Sequence, residues 1–177
     1  MNILQTIFQS ATKPPIALHA GEAFGLWVYC EAVAETRSVC LVLINHTEDR
    51  DLREVIEHFV DDVLQPQLRQ VKEKMLHEGI ELPPVTPDKP RADPQQIPVG
   101  ARLVDEQIAN MLVVKVQGLL LFCHEGLSRS LRNDLSTMYY AFQSHVLAQG
   151  ATLTALMSQR GWLRRPPFFV GSAQAGQ

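Results

Sequence analysis

The sequence predicts an all-α fold, a four-helix bundle with one long crossover connection between helices two and three, and three observations predict it. Apolar residues recur at helical spacing through two long segments. Proline clusters mark where those segments end, and no run shows the period of two that a strand requires. The 177 residues fit a single domain with one hydrophobic interior, a core of about 19–161 carrying an arm at each end.

The first hairpin runs from about Gly21 to Gly79 and turns near Asn45-His46-Thr47, where Thr47 is expected to cap a second helix opening with Glu48 and Asp49. In that helix Leu52, Ile56, Phe59, Val60, Val63 and Gln67 share one side at 100° per residue. Pro66 frees the carbonyl of Asp62 and is expected to bend the rod, because the periodicity continues through Leu68, Val71 and Met75. Gly79 then supplies a left-handed stop. The second hairpin spans Leu103 to Arg160, turns between Gly126 and Asn133, and stops at Gly161. Its last helix carries Leu135, Met138, Phe142, Val146, Leu153 and Leu156 as one stripe. The helix before it, MLVVKVQGLLLFC, is apolar almost all round, which predicts cover on more than one side.

Ile80 to Arg102, rich in proline, is too long for a turn between adjacent antiparallel helices. Extended at about 3.1 Å per residue it reaches roughly 70 Å, against about 40 Å for a helix of this length. It can therefore climb the whole bundle, the single-crossover topology of ferritin-like folds.

Composition narrows the function. Hydrophobic residues make up 46% and charged residues 20% of the chain, and a net charge of −3 offers no basic surface for nucleic acid. Cys30, Cys40 and Cys123 lie in apolar stretches without zinc-ligand spacing and read as reduced, buried thiols. The N-terminal stretch MNILQTIFQSATKPP lacks the basic and apolar regions of a secretion signal, so the cytoplasm is the expected compartment. The longest apolar run, Met111 to Cys123, falls short of the roughly 20 residues of a membrane span.

The stretches HAGEAFGLW, INHTEDRDLREVIEHFVDDVLQPQ, GIELPPVTPDKPRADPQQIP, LSRSLRNDLSTMYYAFQ and SQRGWL carry a resemblance. From about Ile16 to Phe169 the chain resembles a ferritin-like family of uncharacterised proteins from spore-forming bacteria, labelled as spore coat proteins and likened to coat protein F. The resemblance implies a four-helix ferritin-like fold and an association with sporulation, with other spore coat proteins as partners. It supplies no catalytic residues.

Ferritin-like oxidases hold two irons or manganeses with one Glu from each of two helices and a Glu-x-x-His pair from each of the other two. Val55 stands three residues before His58 and Phe142 three before His145, so both pairs lack their glutamate. Lys115 occupies the third helix where a carboxylate is wanted, and an ion pair with Glu31 or Glu35 is expected there instead. The residues nearest to a metal site are Glu31, Glu35, Asp62 and His145; no cofactor is expected.

His19 and Glu22 read as a capping pair at the first helix N-terminus. Ser128, Arg129, Ser130 and Arg132 gather at the second turn, where they suit either capping or a small anion. Trp27, Tyr29, Tyr139 and Tyr140 read as core or interface anchors. The arms bring Ile3, Ile7, Phe8, Phe168 and Phe169, and with the all-apolar third helix they predict a homo-oligomer, a twofold dimer. The expected function is a non-enzymatic assembly protein; the alternatives are metal handling and the binding of a small hydrophobic molecule between the helices.

Overall fold

The computed structural model describes residues 16–167. The expectations placed on Ile3, Ile7, Phe8, Phe168 and Phe169 lie outside them. Among the described residues the long elements are all helices. These are α1 (Ala20–His46), a second rod made of α2 (Arg50–His58), a π-helical segment (Phe59–Leu64) and α3 (Gln65–His77), then α4 (Asp105–Arg129) and α5 (Asn133–Arg160).

The stripes read from the sequence are the ones buried. Leu52, Ile56, Phe59, Val60, Val63 and Gln67 close the second rod onto the core, and Leu135, Met138, Phe142, Val146, Leu153 and Leu156 close α5. Two glycines end their helices in the left-handed region, Gly79 and Gly161 each at φ 73°. Past each, an amide returns to the carbonyl five residues back, Ile80 to Met75 and Trp162 to Met157.

The turn between α1 and the second rod is built differently from the expectation. Thr47 is fully buried and its hydroxyl donates back to the Leu43 carbonyl at 2.7 Å, closing α1. Asp49 caps α2 by accepting from the Leu52 amide at 2.9 Å. Two residues that both suit a cap competed; Thr47 is turned inward onto α1, and Asp49, with acidic Asp51 following, took the helix N-terminus. The Pro66 defect also appears earlier than the proline itself. The Gln65 amide reaches the Val60 carbonyl, a register one residue longer than an α-turn, so the missing N–H is absorbed in a π segment and the rod continues.

The connection from Gly79 climbs the bundle. Arg37 near the middle of α1 holds Asp88 at 2.6 Å, Glu57 of α2 holds Arg91 at 3.2 Å, and Asn45 at the top of α1 grips Pro90 and Ala92. Glu48 then receives Gln95 and Arg102. The chain order is therefore up, down, crossover, down, up. Helix α1 packs on the second rod and on α4, and α5 packs on α4 and on the second rod.

Among the described residues, helix α4 is covered on its inner side by α1 and α5. Its inner face is buried at Ile108, Leu112, Val116, Leu119 and Cys123, while Val114 and Leu121 on the opposite side are 66% and 69% exposed. By length and composition the segment Val99–Arg129 is apolar enough to cross a membrane; a third of its apolar stretch is buried, with α1 and α5 against its inner side.

Candidate functional site

The four residues nearest to a metal template do not come together. Glu31 and Glu35 are exposed on α1, opposite the stripe through Leu26, Tyr29, Val33, Thr36 and Cys40 that faces the core. Asp62 is exposed and lies 3.9 Å from His58 on its own rod, and His145 is exposed on α5. Among the described residues no three His, Cys, Asp or Glu side chains gather closely enough to hold a metal ion. The ion pair expected for Lys115 is not made either, because both glutamates turn outward on α1; Lys115 instead lies close enough to Cys40 to oppose the effect of its burial.

The interior holds a different polar group. The Tyr29 hydroxyl donates to Gln67 Oε1 at 2.8 Å and accepts from the Cys123 thiol at 3.3 Å, while Gln67 Nε2 donates to the Phe142 carbonyl at 3.2 Å. The Tyr29 ring stacks on Phe142 at 5.4 Å and meets Tyr139 edge-on at 5.6 Å. The cluster links all four rods, and its Tyr29, Gln67 and Cys123 groups are hydrogen-bonded to one another. Burial pushes the Cys123 thiol up to about 11 and the Cys40 thiol up to about 12, so both stay protonated and non-nucleophilic at neutral pH.

Beside this cluster the Tyr139 ring tip slots against Gly126, where an added Cβ would fall 2.5 Å from Cζ. The buried Tyr139 hydroxyl makes no hydrogen bond to a described residue and lines a cavity of about 30 Å³ between α1 and α4. That volume suits one or two water molecules; the dry cavity known to admit benzene is about 150 Å³.

A second buried polar centre is Glu22, at the lower end. His19 Nδ1 accepts from the amides of Gly21 and Glu22, and the His19 amide donates to Glu22 Oε2 at 3.2 Å, which completes the predicted capping pair. With Nδ1 accepting, the ring proton sits on Nε2, which donates to the Arg129 carbonyl across the bundle. Glu22 Oε1 accepts from the Leu131 and Arg132 amides at 2.8 and 3.0 Å. The anion suited to the second turn is thus the chain's own Glu22. Burial alone would raise the Glu22 pKa, but the amides of Arg132, His19 and Leu131 outweigh it and hold the group below the usual carboxylate range. The turn serines close the preceding helix, Ser128 on the Glu125 carbonyl and Ser130 on that of Gly126. Arg132, 6% exposed, is held by Asp134 and Glu78.

The upper end repeats this device in reverse. Asp105, the first residue of α4, accepts from the Glu48 and Asp49 amides at 3.1 and 3.0 Å. A carboxylate from each hairpin therefore caps the turn of the other. Sequence reasoning found Glu22 and the anion-accepting turn separately but not their pairing, and it passed over Asp105; an acidic residue in the first turn of α4 was the available signal.

A family model described as Protein of unknown function (DUF3231) matches residues 7–174. Uncharacterized protein YvdQ of Bacillus subtilis (strain 168) is 33% identical over 153 residues, covering 86% of this chain and 89% of that relative. A crystal structure named a "putative spore coat protein" from Bacillus halodurans C-125 superposes with a TM-score of 0.84 at 30% identity, covering 91% of this chain and 99% of the other.

Proposed function

The chain belongs to the DUF3231 family of proteins of unknown function, and from that membership we propose that it is a non-enzymatic assembly protein of the spore layer that works as a self-associating unit. The observation that carries the reading is the interior: the bundle is filled by the Tyr29, Gln67 and Cys123 cluster and by apolar packing, leaving no converging set of carboxylates or imidazoles among the described residues. The name borne by the Bacillus halodurans relative supports the spore as the place of action. A bundle clamped at both ends by cross-hairpin carboxylates suits a component whose work is to hold a shape. The test is fractionation of purified spores from sporulating Bacillus subtilis expressing the tagged chain. The chain is expected in the coat extract, and its confinement to the soluble fraction of the mother cell would overturn the reading.

A further inference from the structure

The charges of this bundle are distributed unevenly. The second rod presents Arg50, Glu54, Glu57, Asp61, Asp62 and Lys72 to solvent or to its flanks. In α5, by contrast, the twenty-four residues from Ser136 to Gln159 contain no Asp, Glu, Lys or Arg, and in α4 the run from Gln107 to His124 contains only Lys115. An ordinary solvent face of a helix carries charge. Here the outer side of the α4 and α5 pair carries Val114, Leu121, Tyr140 and Leu147, each more than 60% exposed. Between the two helices runs an open groove of about 680 Å³, with Gly150 and Ala151 among its small lining residues.

The geometry points to this outer α4/α5 face as the surface on which a second copy of the chain docks, a deepening that rests on the self-association proposed above. Size supports it. Twenty-four residues at about 1.5 Å rise make a face roughly 36 Å long, and two helices about 10 Å apart make it roughly 20 Å wide. That is on the order of 700 Å² per copy, close to the roughly 800 Å² per partner of a stable interface. Charge supports it too. A twofold interface sets a patch against itself, so net charge would repel its own image, and a face whose helices carry only Lys115, with Arg165 lining the groove near Ser158, keeps that cost small. Depletion of charge at the centre with exposed aromatic and aliphatic anchors is the composition of an interface core. Lipid fits less well, because the Gln117 amide and the exposed Arg165 guanidinium line the same groove as the apolar residues and would lose water in a hydrocarbon layer.

The test is sedimentation equilibrium of the whole chain at micromolar concentration, with Val114→Asp and Leu147→Asp as variants and Leu76→Asp, exposed on the second rod, as control. All three sites are exposed, so helical circular dichroism should be retained. The parent and the control are expected at twice 19.8 kDa, and each face variant should weaken the dimer at least tenfold. A dimer that neither face variant weakens overturns this face while leaving self-association standing. A parent that stays at 19.8 kDa overturns both, and flotation of that monomer with anionic vesicles would assign the face to a membrane.

Discussion

Glu22 shows how much one side chain can carry in a bundle. It sits 4% exposed and accepts three backbone N–H groups, two of them from a turn more than a hundred residues away. Leaving those donors unpaired costs roughly 1 to 3 kcal/mol for each one that stays dry, partly offset where water enters. Glu22→Ala is therefore expected to lower unfolding stability by about 3 kcal/mol in urea denaturation, and Glu22→Gln, which keeps one acceptor oxygen, by about half that. The pH dependence has a definite sign. A carboxylate whose folded pKa lies below its unfolded value contributes stability fully present above the unfolded value, roughly 4.3, and lost as pH falls through the folded one. Wild-type stability should fall with acidification below that value, and Glu22→Gln should flatten the profile there, leaving a residual slope from Asp134, Asp49 and Asp88. Arg132 holds Asp134 well below the usual range, Arg160 lowers Asp49, and Arg37 lowers Asp88. A Glu22→Gln profile parallel to wild type would refute this assignment.

At the scale of elements, the crossover strap behaves as a structural member because its contacts are spaced along the climb. Asn45 is its upper anchor: Nδ2 donates to the Pro90 carbonyl at 2.9 Å and Oδ1 accepts from the Ala92 amide at 3.0 Å. Asn45→Ala should release both, costing about 1 to 2 kcal/mol and lowering hydrogen-exchange protection of the Ala92 amide at least tenfold, with α1 protection elsewhere unchanged. An unaltered Ala92 amide would mean that the prolines alone hold the strap. The strap, the glycine stops and the buried stripes were legible in the sequence because each follows from local chemistry: proline geometry, a left-handed φ and helical periodicity. Other features were not. The choice of Asp49 over Thr47 as cap depends on which residue the turn buries, and the register beyond the π segment is the one in which Gln67 meets Tyr29 and Phe142. Neither constraint exists until the helices meet.

For the whole molecule, the question is what an up, down, down, up bundle does with its middle. The fold can host a di-metal centre, which requires inward carboxylates on all four rods and two imidazoles. The sequence already lacked both Glu-x-x-His pairs, and the structure adds that the remaining candidates, Glu31, Glu35, Asp62 and His145, all face outward. Rotating one of them inward would set a carboxylate among Val33, Val63, Val116 and Val146, all at most 5% exposed, at a desolvation cost of several kcal/mol that only a bound cation could offset. A charge-compensating cation would then need the other ligands to rotate as well, each against its own packing. We therefore expect chain purified without chelator to carry less than a tenth of an equivalent of iron, manganese or zinc by elemental analysis. Ferrous iron or manganese at a hundredfold over a micromolar dissociation constant would stabilise a real site by about 2.7 kcal/mol, a rise of several degrees in melting temperature for a domain this size. Either stoichiometric metal or such a rise would show that the interior rearranges around an ion, and the rigid, hydrogen-bonded middle on which the assembly role depends would have to be abandoned.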